Sequence, residues 1–144
     1  MRDAFGSTFM FKLIIVFIVF YVSFMTIAVG YAKVFKIKNE VINFLEQYQV
    51  DTDSVSDWNN VVIGKIDPYL DRSAYRRGDN NTVKGDCSSK GGKMSSNGVC
   101  IVKNNLSKNS AYYKVVVYLV ISFPLFNSDF VIPISGETTT IYLK

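Results

Sequence analysis

The chain has 144 residues, of which 49% are hydrophobic, and a formal net charge of +4. This length suits one small domain together with a membrane segment. Histidine is absent and there are two cysteines, Cys87 and Cys100, which excludes a histidine-based catalytic triad and a zinc site of the usual kind. Residues 51–144 carry eleven Lys and Arg against nine Asp and Glu, a net charge of +2 without a basic block, so no nucleic-acid partner is expected.

The first predicted element is a transmembrane helix over residues 13–32, preceded by a short N-terminal segment, residues 1–12. The twenty residues LIIVFIVFYVSFMTIAVGYA carry no charge. At about 1.5 Å per residue they reach about 30 Å, the thickness of the hydrocarbon core of a bilayer. Tyr31 stands where an interfacial aromatic residue belongs, and the Lys12 side chain can extend to the headgroups at the other end.

Three fates of this segment compete. A cleavable signal peptide would be cut near residues 28–30, which read Ala-Val-Gly, but such peptides usually have an apolar run of only about 7–15 residues. A short leader removed by a prepilin-type peptidase would end at Gly6 and leave Ser7 as the new N-terminus. A permanent anchor fits the length and flanks best and is the preferred interpretation.

The distribution of lysines bears on orientation. Arg2 and Lys12 precede the span, whereas Lys33, Lys36 and Lys38 follow it, and this count favours a cytoplasmic C-terminus. The three following lysines belong, however, to a helix that continues, and the cysteine pair points to an oxidising compartment. We therefore expect a single-pass membrane protein with its C-terminal domain outside the cytoplasm.

Residues 33–50 are predicted to extend the helix as an amphipathic segment. Its apolar side chains recur at steps of three and four residues, which places them on one stripe. The members of the stripe are Val34, Ile37, Val41, Leu45 and Tyr48. One interpretation is that the stripe covers the core of its own domain; the other is that it is an assembly face that packs against copies of itself.

A second, shorter helix is predicted after residue 53. Ser54 with Asp57 three residues later forms an N-cap pair, and Pro68 limits how far an undistorted helix can continue. One face of this helix is predicted to carry apolar residues at helical spacing: Val55, Trp58, Val62 and Ile66.

The acidic residues at this junction suggest calcium at first sight. Asp51, Asp53 and Asp57 lack the turn glycine and the terminal glutamate of an EF-hand loop. We assign them to helix capping and solvation, and we expect neither a metal nor a cofactor.

Residues 73–110 are rich in Gly, Ser, Asn and Lys and include both cysteines. Twelve residues separate Cys87 from Cys100, which is not the spacing of a metal or redox motif. A disulfide that clamps the loop 87–100 would contribute about 3 kcal/mol and would place the domain outside the cytoplasm. Two free thiols are the alternative.

The last third is predicted to be β-structure. AYYKVVVYLVISF, residues 111–123, indicates a strand with one fully apolar face and a second face that is partly apolar and covered. Further strands are predicted at 130–134 and 138–143, with turns at 127–129 and Gly136. The expected fold is α+β: a long N-terminal helix, half membrane span and half amphipathic, a second short helix, and a small C-terminal antiparallel β-meander. Residues 51–144 would form the extracytoplasmic domain.

Three stretches together resemble a family: DAFGSTFMFK at the start, YAKVFKIKNEVINFLEQY in the helix, and FPLFNSDFVIPISGETTTIYLK at the end. They are similar to TadE-like pseudopilins, minor pilin-like proteins of tight-adherence and type IV pilus gene clusters. The resemblance covers about half of the chain and implies an exported, non-enzymatic subunit of a surface filament or its assembly platform. It implies the membrane and other pilin-like subunits or platform proteins as partners. Phe11 departs from the family. If Ser7 is the first residue of the mature chain, Phe11 is the fifth, where the family has glutamate.

The sequence contains no recognisable catalytic motif. There is no nucleophile with a base, no glycine-rich phosphate loop and no paired carboxylates, and Ser135-Gly136-Glu137 is not a catalytic motif by itself. We expect neither catalysis nor a small-molecule substrate. The predicted function is that of a structural pilin-like subunit. The alternative is a single-span, membrane-anchored extracytoplasmic binding or accessory module with no filament role.

Overall fold

The computed structural model describes residues 2–75, 80–122 and 129–142. The chain forms two compact units, one up to Ala32 and one from Lys33 onward. The α-helix α1 (Arg2–Tyr48) is continuous and contributes to both. Within the described part of the chain, α1 is the one helix long and apolar enough to cross a membrane, judged by length and composition.

The second helical segment changes its type along its length. It comprises α2 (Val55–Asp57), a π-helix (Trp58–Ile66) and α3 (Asp67–Arg72). Ser54 is its N-cap, as predicted, and its hydroxyl accepts a bond from the Asp57 N–H at 3.5 Å. The chain stays helical through Pro68 because this residue lies in the first turn of α3, where a proline N–H is not required.

The π-helix changes which face of this segment is buried. A turn of i→i+5 bonds rotates successive side chains differently from an α-helix, so the adjacent Val61 and Val62 are both buried, together with Ile66. Val55, predicted to line the inward face, is instead 74% exposed.

The polar stretch 73–110 contains more regular structure than the sequence indicated. It includes α4 (Asn80–Ser89), β1 (Lys93–Met94) and most of β2 (Cys100–Ser107). The remaining strands are β3 (Ser110–Ser122), β4 (Asp129–Glu137) and β5 (Ile141–Tyr142). The predicted turn at 127–129 lies mostly outside the described residues.

The strands form one antiparallel sheet in the order β1-β2-β3-β4, and β5 also pairs with β3. β4 and β5 lie along the same edge of β3, since Glu137 pairs with Lys114 and Ile141 pairs with Ala111. Between them Thr138 donates its N–H to the Tyr113 carbonyl at 2.9 Å, and its hydroxyl accepts from the Tyr113 N–H. The segment 138–143, predicted as one strand, therefore forms a bulge followed by a two-residue strand.

Gly136, predicted as a turn or bulge, lies within β4 opposite Val115. Its position is explained by helix α1. A Cβ atom at Gly136 would come within 2.9 Å of the side chains of Ile42 and Lys38, so the missing side chain lets α1 approach the sheet closely.

Both faces of the sheet are covered by helices, as the apolar residues on both faces of β3 predict. The cluster on one face joins the C-terminal half of α1, the π-helix and α3 to the β3 residues Tyr113, Val115, Val117 and Leu119. The cluster on the other face joins α4 to Val116 and Tyr118 through Val83, Cys87, Cys100 and Val102. The second unit is thus a helix–sheet–helix sandwich, and the α+β prediction is confirmed.

Candidate functional surfaces

The predicted assembly stripe on α1 lies largely inside its own domain. Four of its five members are no more than 5% exposed and belong to the main core cluster: Val34, Ile37, Val41 and Leu45. Tyr48, the fifth, is 41% exposed and lies beneath the Lys65 ammonium, 3.6 Å from the ring centroid. The structure therefore corrects the assignment of these four residues to an assembly face, because they have almost no surface left for another subunit.

The first unit offers a different apolar surface. Every large apolar side chain from Phe9 to Met25 is between 39% and 75% exposed. A contiguous apolar surface of this extent requires lipid or protein to cover it. The hydroxyls in this segment suit such surroundings, since Ser23 and Thr26 donate to the carbonyls of Val19 and Val22 in the same helix.

Gly6 and Ser7 both lie in the first turns of α1. Gly6 is exposed, and nothing lies within 4 Å of where its Cβ would be. Cleavage between these two residues stays a prediction.

Cys87 and Cys100 form the predicted disulfide, with 5.6 Å between their Cα atoms. Cys87 belongs to α4 and Cys100 begins β2, so the bond joins a helix to the sheet and does not clamp an irregular loop. Both side chains are buried. Gly92 lies directly against the bond, because a Cβ atom there would be 2.7 Å from the Cys100 sulfur.

The acidic residues before α2 are held by lysines from the sheet. The Lys103 ammonium lies 2.8 Å from Asp51 and 2.7 Å from Asp53, and the Lys93 ammonium donates to the Thr52 carbonyl at 2.6 Å. Asp57 closes the N-cap turn instead: its N–H donates to the Ser54 hydroxyl, and its carboxylate accepts from the Asp51 N–H at 3.3 Å. No group of three or more potential metal ligands occurs among residues 2–75, 80–122 and 129–142.

This ion-pair cluster shifts the pKa values of its members. Burial alone would lower the pKa of Lys103, but the hydrogen bonds that its ammonium donates to Asp51 and Asp53 outweigh burial, and the pKa is raised overall. The hydrogen bond from Lys103 lowers the pKa of Asp51. The cluster thus fastens the α1–α2 connection to β2 as long as Asp51 is ionised.

Acid is expected to weaken this cluster. Because the Asp51 pKa is lowered on folding, its ionised form adds stability that is complete above the unfolded value of about 4 and is lost as the pH falls through the folded pKa. Urea denaturation of the wild type and Asp51→Asn between pH 3 and pH 7 is expected to show a difference in the free energy of unfolding that is largest near neutrality and shrinks below about pH 4. In a Lys103→Met background the same comparison should be nearly independent of pH. An equal pH dependence in both backgrounds would contradict the assignment.

Tyr75 forms hydrogen bonds with the β3 backbone beyond the end of the β2–β3 pairing. β2 begins opposite Val116. Two residues further along β3, the Tyr75 hydroxyl donates to the Tyr118 carbonyl at 3.0 Å and accepts from the Tyr118 N–H at 2.9 Å. Burial raises the Tyr75 pKa to about 12. No local sequence pattern points to this contact, which spans 43 residues of the chain.

Removing the Tyr75 hydroxyl should cost more than one ordinary hydrogen bond. Tyr75→Phe leaves a donor and an acceptor of the Tyr118 backbone without their partner, and we expect the free energy of unfolding to fall by about 1–3 kcal/mol in urea denaturation. Tyr69→Phe is the matched control. The Tyr69 ring packs edge-on against Phe44, with 5.9 Å between centroids, and this contact does not need the hydroxyl. Equal losses in both variants would argue against the role of Tyr75.

A shallow cleft of about 190 Å³ lies on the α4 side of the sheet, lined by Val83, Asp86, Tyr118, Val131 and Pro133. Its polar groups already have partners. The Tyr118 hydroxyl donates to Asp86 at 2.9 Å, and Lys90 lies 2.6 Å from the same carboxylate and lowers its pKa. The cleft is smaller than the roughly 300 Å³ at which small-molecule sites usually begin.

Comparisons with known proteins found no match: no protein-family model, no curated protein and no solved structure matches this chain. Its function is therefore inferred from its own residues.

Proposed function

We propose that the protein is a structural, non-enzymatic, pilin-like (pseudopilin) subunit, anchored by α1 and assembling into, or supporting, a surface filament or secretion apparatus. The observation that carries this proposal is that the two parts of one helix have different surroundings. The N-terminal part of α1 is apolar and exposed, as far as its side chains are described, whereas the C-terminal part forms the core of a disulfide-bonded α+β domain. A helix of this kind can be held in a membrane before assembly and covered by neighbouring helices afterwards.

The position of the domain outside the cytoplasm is supported by the disulfide. Disulfides persist in oxidising compartments and are rare in the cytosol. The Cys87–Cys100 bond is buried between α4 and β2, where it has a structural use and no access to redox partners.

A structural role is also supported by what the ionised and phenolic side chains of the domain do. Lys103 ties the α1–α2 connection to the sheet, Tyr75 completes the hydrogen bonds of β3, and Asp86 joins α4 to Tyr118. Each of the three stabilises the fold. The runner-up function is an anchored extracytoplasmic accessory module without a filament, which shares the anchor and the domain but not the assembly.

The test is the intact mass of the protein purified from its native membrane, measured before and after reduction. A mass that lacks residues 1–6 would show prepilin-type processing and support the filament subunit. The full-length mass would favour the accessory module, and a chain that begins near residue 31 would contradict anchoring altogether. A gain of about two daltons on reduction would confirm the disulfide in the native protein.

A further inference from the structure

Strand β4 and the C-terminal part of α1 lie side by side in the domain. Gly136 of β4 lies against the side chains of Lys38 and Ile42. Further along the strand, the Thr139 N–H donates to the Glu46 carboxylate at 2.7 Å. The order of these two contacts means that β4 and α1 advance in the same direction. Earlier residues of β4 therefore lie beside earlier residues of α1, toward the predicted span.

The level of the end of the span on the sheet follows from these contacts. Lys33 is the first residue after the predicted span and stands five residues before Lys38, which is about 8 Å along the helix. Along β4, the three residues from Gly136 back to Pro133 cover about 10 Å. Lys33 and Pro133 therefore lie at about the same level.

A second chain of contacts gives the same level. The Lys33 ammonium donates to the Ala74 carbonyl at 3.0 Å. The next residue, Tyr75, bonds through its hydroxyl to the backbone of Tyr118. Tyr118 in turn pairs with Pro133 across the sheet. The parts of β3 after Tyr118 and of β4 before Pro133 thus lie on the membrane side of Lys33. We call residues 119–121 and 130–132, which pair with each other, the β3–β4 end.

The β3–β4 end carries exposed apolar side chains. Phe130 is 53% exposed and Ile132 is 46% exposed. Phe130 stands three residues beyond Pro133, which is about 10 Å along a strand. The headgroup layer on each side of a bilayer is about 5–7 Å thick. Since Pro133 is level with the end of the span, Phe130 reaches the headgroup layer, where apolar surface is withdrawn from water.

Two cations accompany these side chains. Lys36 and Arg72 are both exposed, and Arg72 stands two residues before Ala74. Among the residues that the structure describes, neither forms an ion pair, whereas Lys103 and Lys114 of the sheet pair with carboxylates. Cations close to a membrane surface are attracted by anionic headgroups. Apolar and cationic side chains together are the composition of a surface that lies in a membrane interface.

We propose that the domain contacts the bilayer that holds α1, with Phe130 and Ile132 entering the headgroup layer and Lys36 and Arg72 meeting anionic headgroups. This proposal rests on the proposed membrane anchoring of α1. The β3–β4 end is then a second attachment to the membrane, contributed by the sheet. Departure of the subunit from the membrane would require release of this attachment as well as of the helix.

The test places one tryptophan at a time in the full chain, reconstituted into phosphatidylcholine vesicles with brominated acyl chains, which quench nearby indoles. Trp58 is the single native tryptophan, and Trp58→Phe supplies the background. Phe130→Trp and Ile132→Trp report on the β3–β4 end. Leu106→Trp and Tyr142→Trp are the matched controls, because these residues are 60% and 72% exposed and lie beside the first residues of β3, at the opposite end of the sheet.

We expect brominated lipid to reduce the emission of Phe130→Trp and Ile132→Trp at least twofold, since side chains at the headgroup boundary come close to the acyl chains. The emission of the two controls should stay nearly unchanged. Unbrominated vesicles give the reference intensity for each variant.

The cations are tested by adding phosphatidylglycerol to the vesicles. Quenching of Phe130→Trp should increase with this anionic lipid and decrease again in high salt. Lys36→Gln and Arg72→Gln should each reduce the increase. Lys108→Gln, which removes an exposed charge near the first residues of β3, should leave it unchanged.

Three results would overturn the proposal or part of it. Equal quenching at Phe130→Trp and Leu106→Trp, with the protein retained in carbonate-washed membranes, would refute the contact of the β3–β4 end and leave the anchored subunit intact. Quenching that phosphatidylglycerol does not change would exclude Lys36 and Arg72 from the contact. Loss of the protein from washed membranes would refute this contact and the anchoring together.

Discussion

Leu45→Ala is expected to lower the free energy of unfolding of the domain by about 2–5 kcal/mol, the usual cost of emptying a fully buried leucine site. Leu45 is completely buried and belongs to the cluster that joins α1 to the sheet. The measurement is urea denaturation of the full chain in detergent micelles, followed by the fluorescence of Trp58. This residue is the single tryptophan, and it packs against the same cluster.

Tyr48→Ala is the matched control from the same predicted stripe. Because Tyr48 is 41% exposed and lies outside the core cluster, with the Lys65 ammonium over its ring, its removal should cost no more than about 1 kcal/mol. If Leu45→Ala left stability unchanged and instead reduced self-association, Leu45 would lie on an assembly face after all.

The contrast between Leu45 and Tyr48 shows what helical periodicity can and cannot predict. Spacing at three and four residues identified a stripe that needs burial, but it carries no information on what buries it. The covered second face of β3 followed from the continuous apolar run Val115–Tyr118, because apolar residues on both faces of a strand require a layer on each side.

Other features depend on tertiary contacts that leave no local pattern. α4 has little apolar surface besides Val83 and Cys87 and contains Gly85, so its sequence reads as a loop. The π-helix buries the adjacent Val61 and Val62, which no α-helical period predicts, and an α-helical period placed Val55 on the wrong side. The hydrogen bonds of Tyr75 to Tyr118 join residues that only the fold brings together.

Loss of the disulfide is the second large effect we expect. Cys87→Ala combined with Cys100→Ala removes a cross-link between residues 13 positions apart, which the chain-entropy model values at about 3 kcal/mol. Since small domains are stable by only about 5–15 kcal/mol, the urea midpoint of the full chain should fall by about 1–3 M. An unchanged midpoint would contradict a stabilising role for the bond.

A substitution at Gly92 tests whether the disulfide lies where the structure places it. A Cβ atom at Gly92 would lie 2.7 Å from the Cys100 sulfur, 3.0 Å from the Cys87 sulfur and 2.9 Å from the Val102 side chain. Gly92→Ala should therefore destabilise the disulfide-bonded protein by about 1–3 kcal/mol, the usual cost of overpacking.

In the background of the two alanines, both sulfurs are gone and only the conflict with Val102 remains, so Gly92→Ala should cost less there. This non-additivity is the expected sign of direct contact. Equal costs in the two backgrounds would mean that Gly92 does not contact the disulfide. Gly92 lies between α4 and β1, so this result would contradict the placement of that connection against the bond.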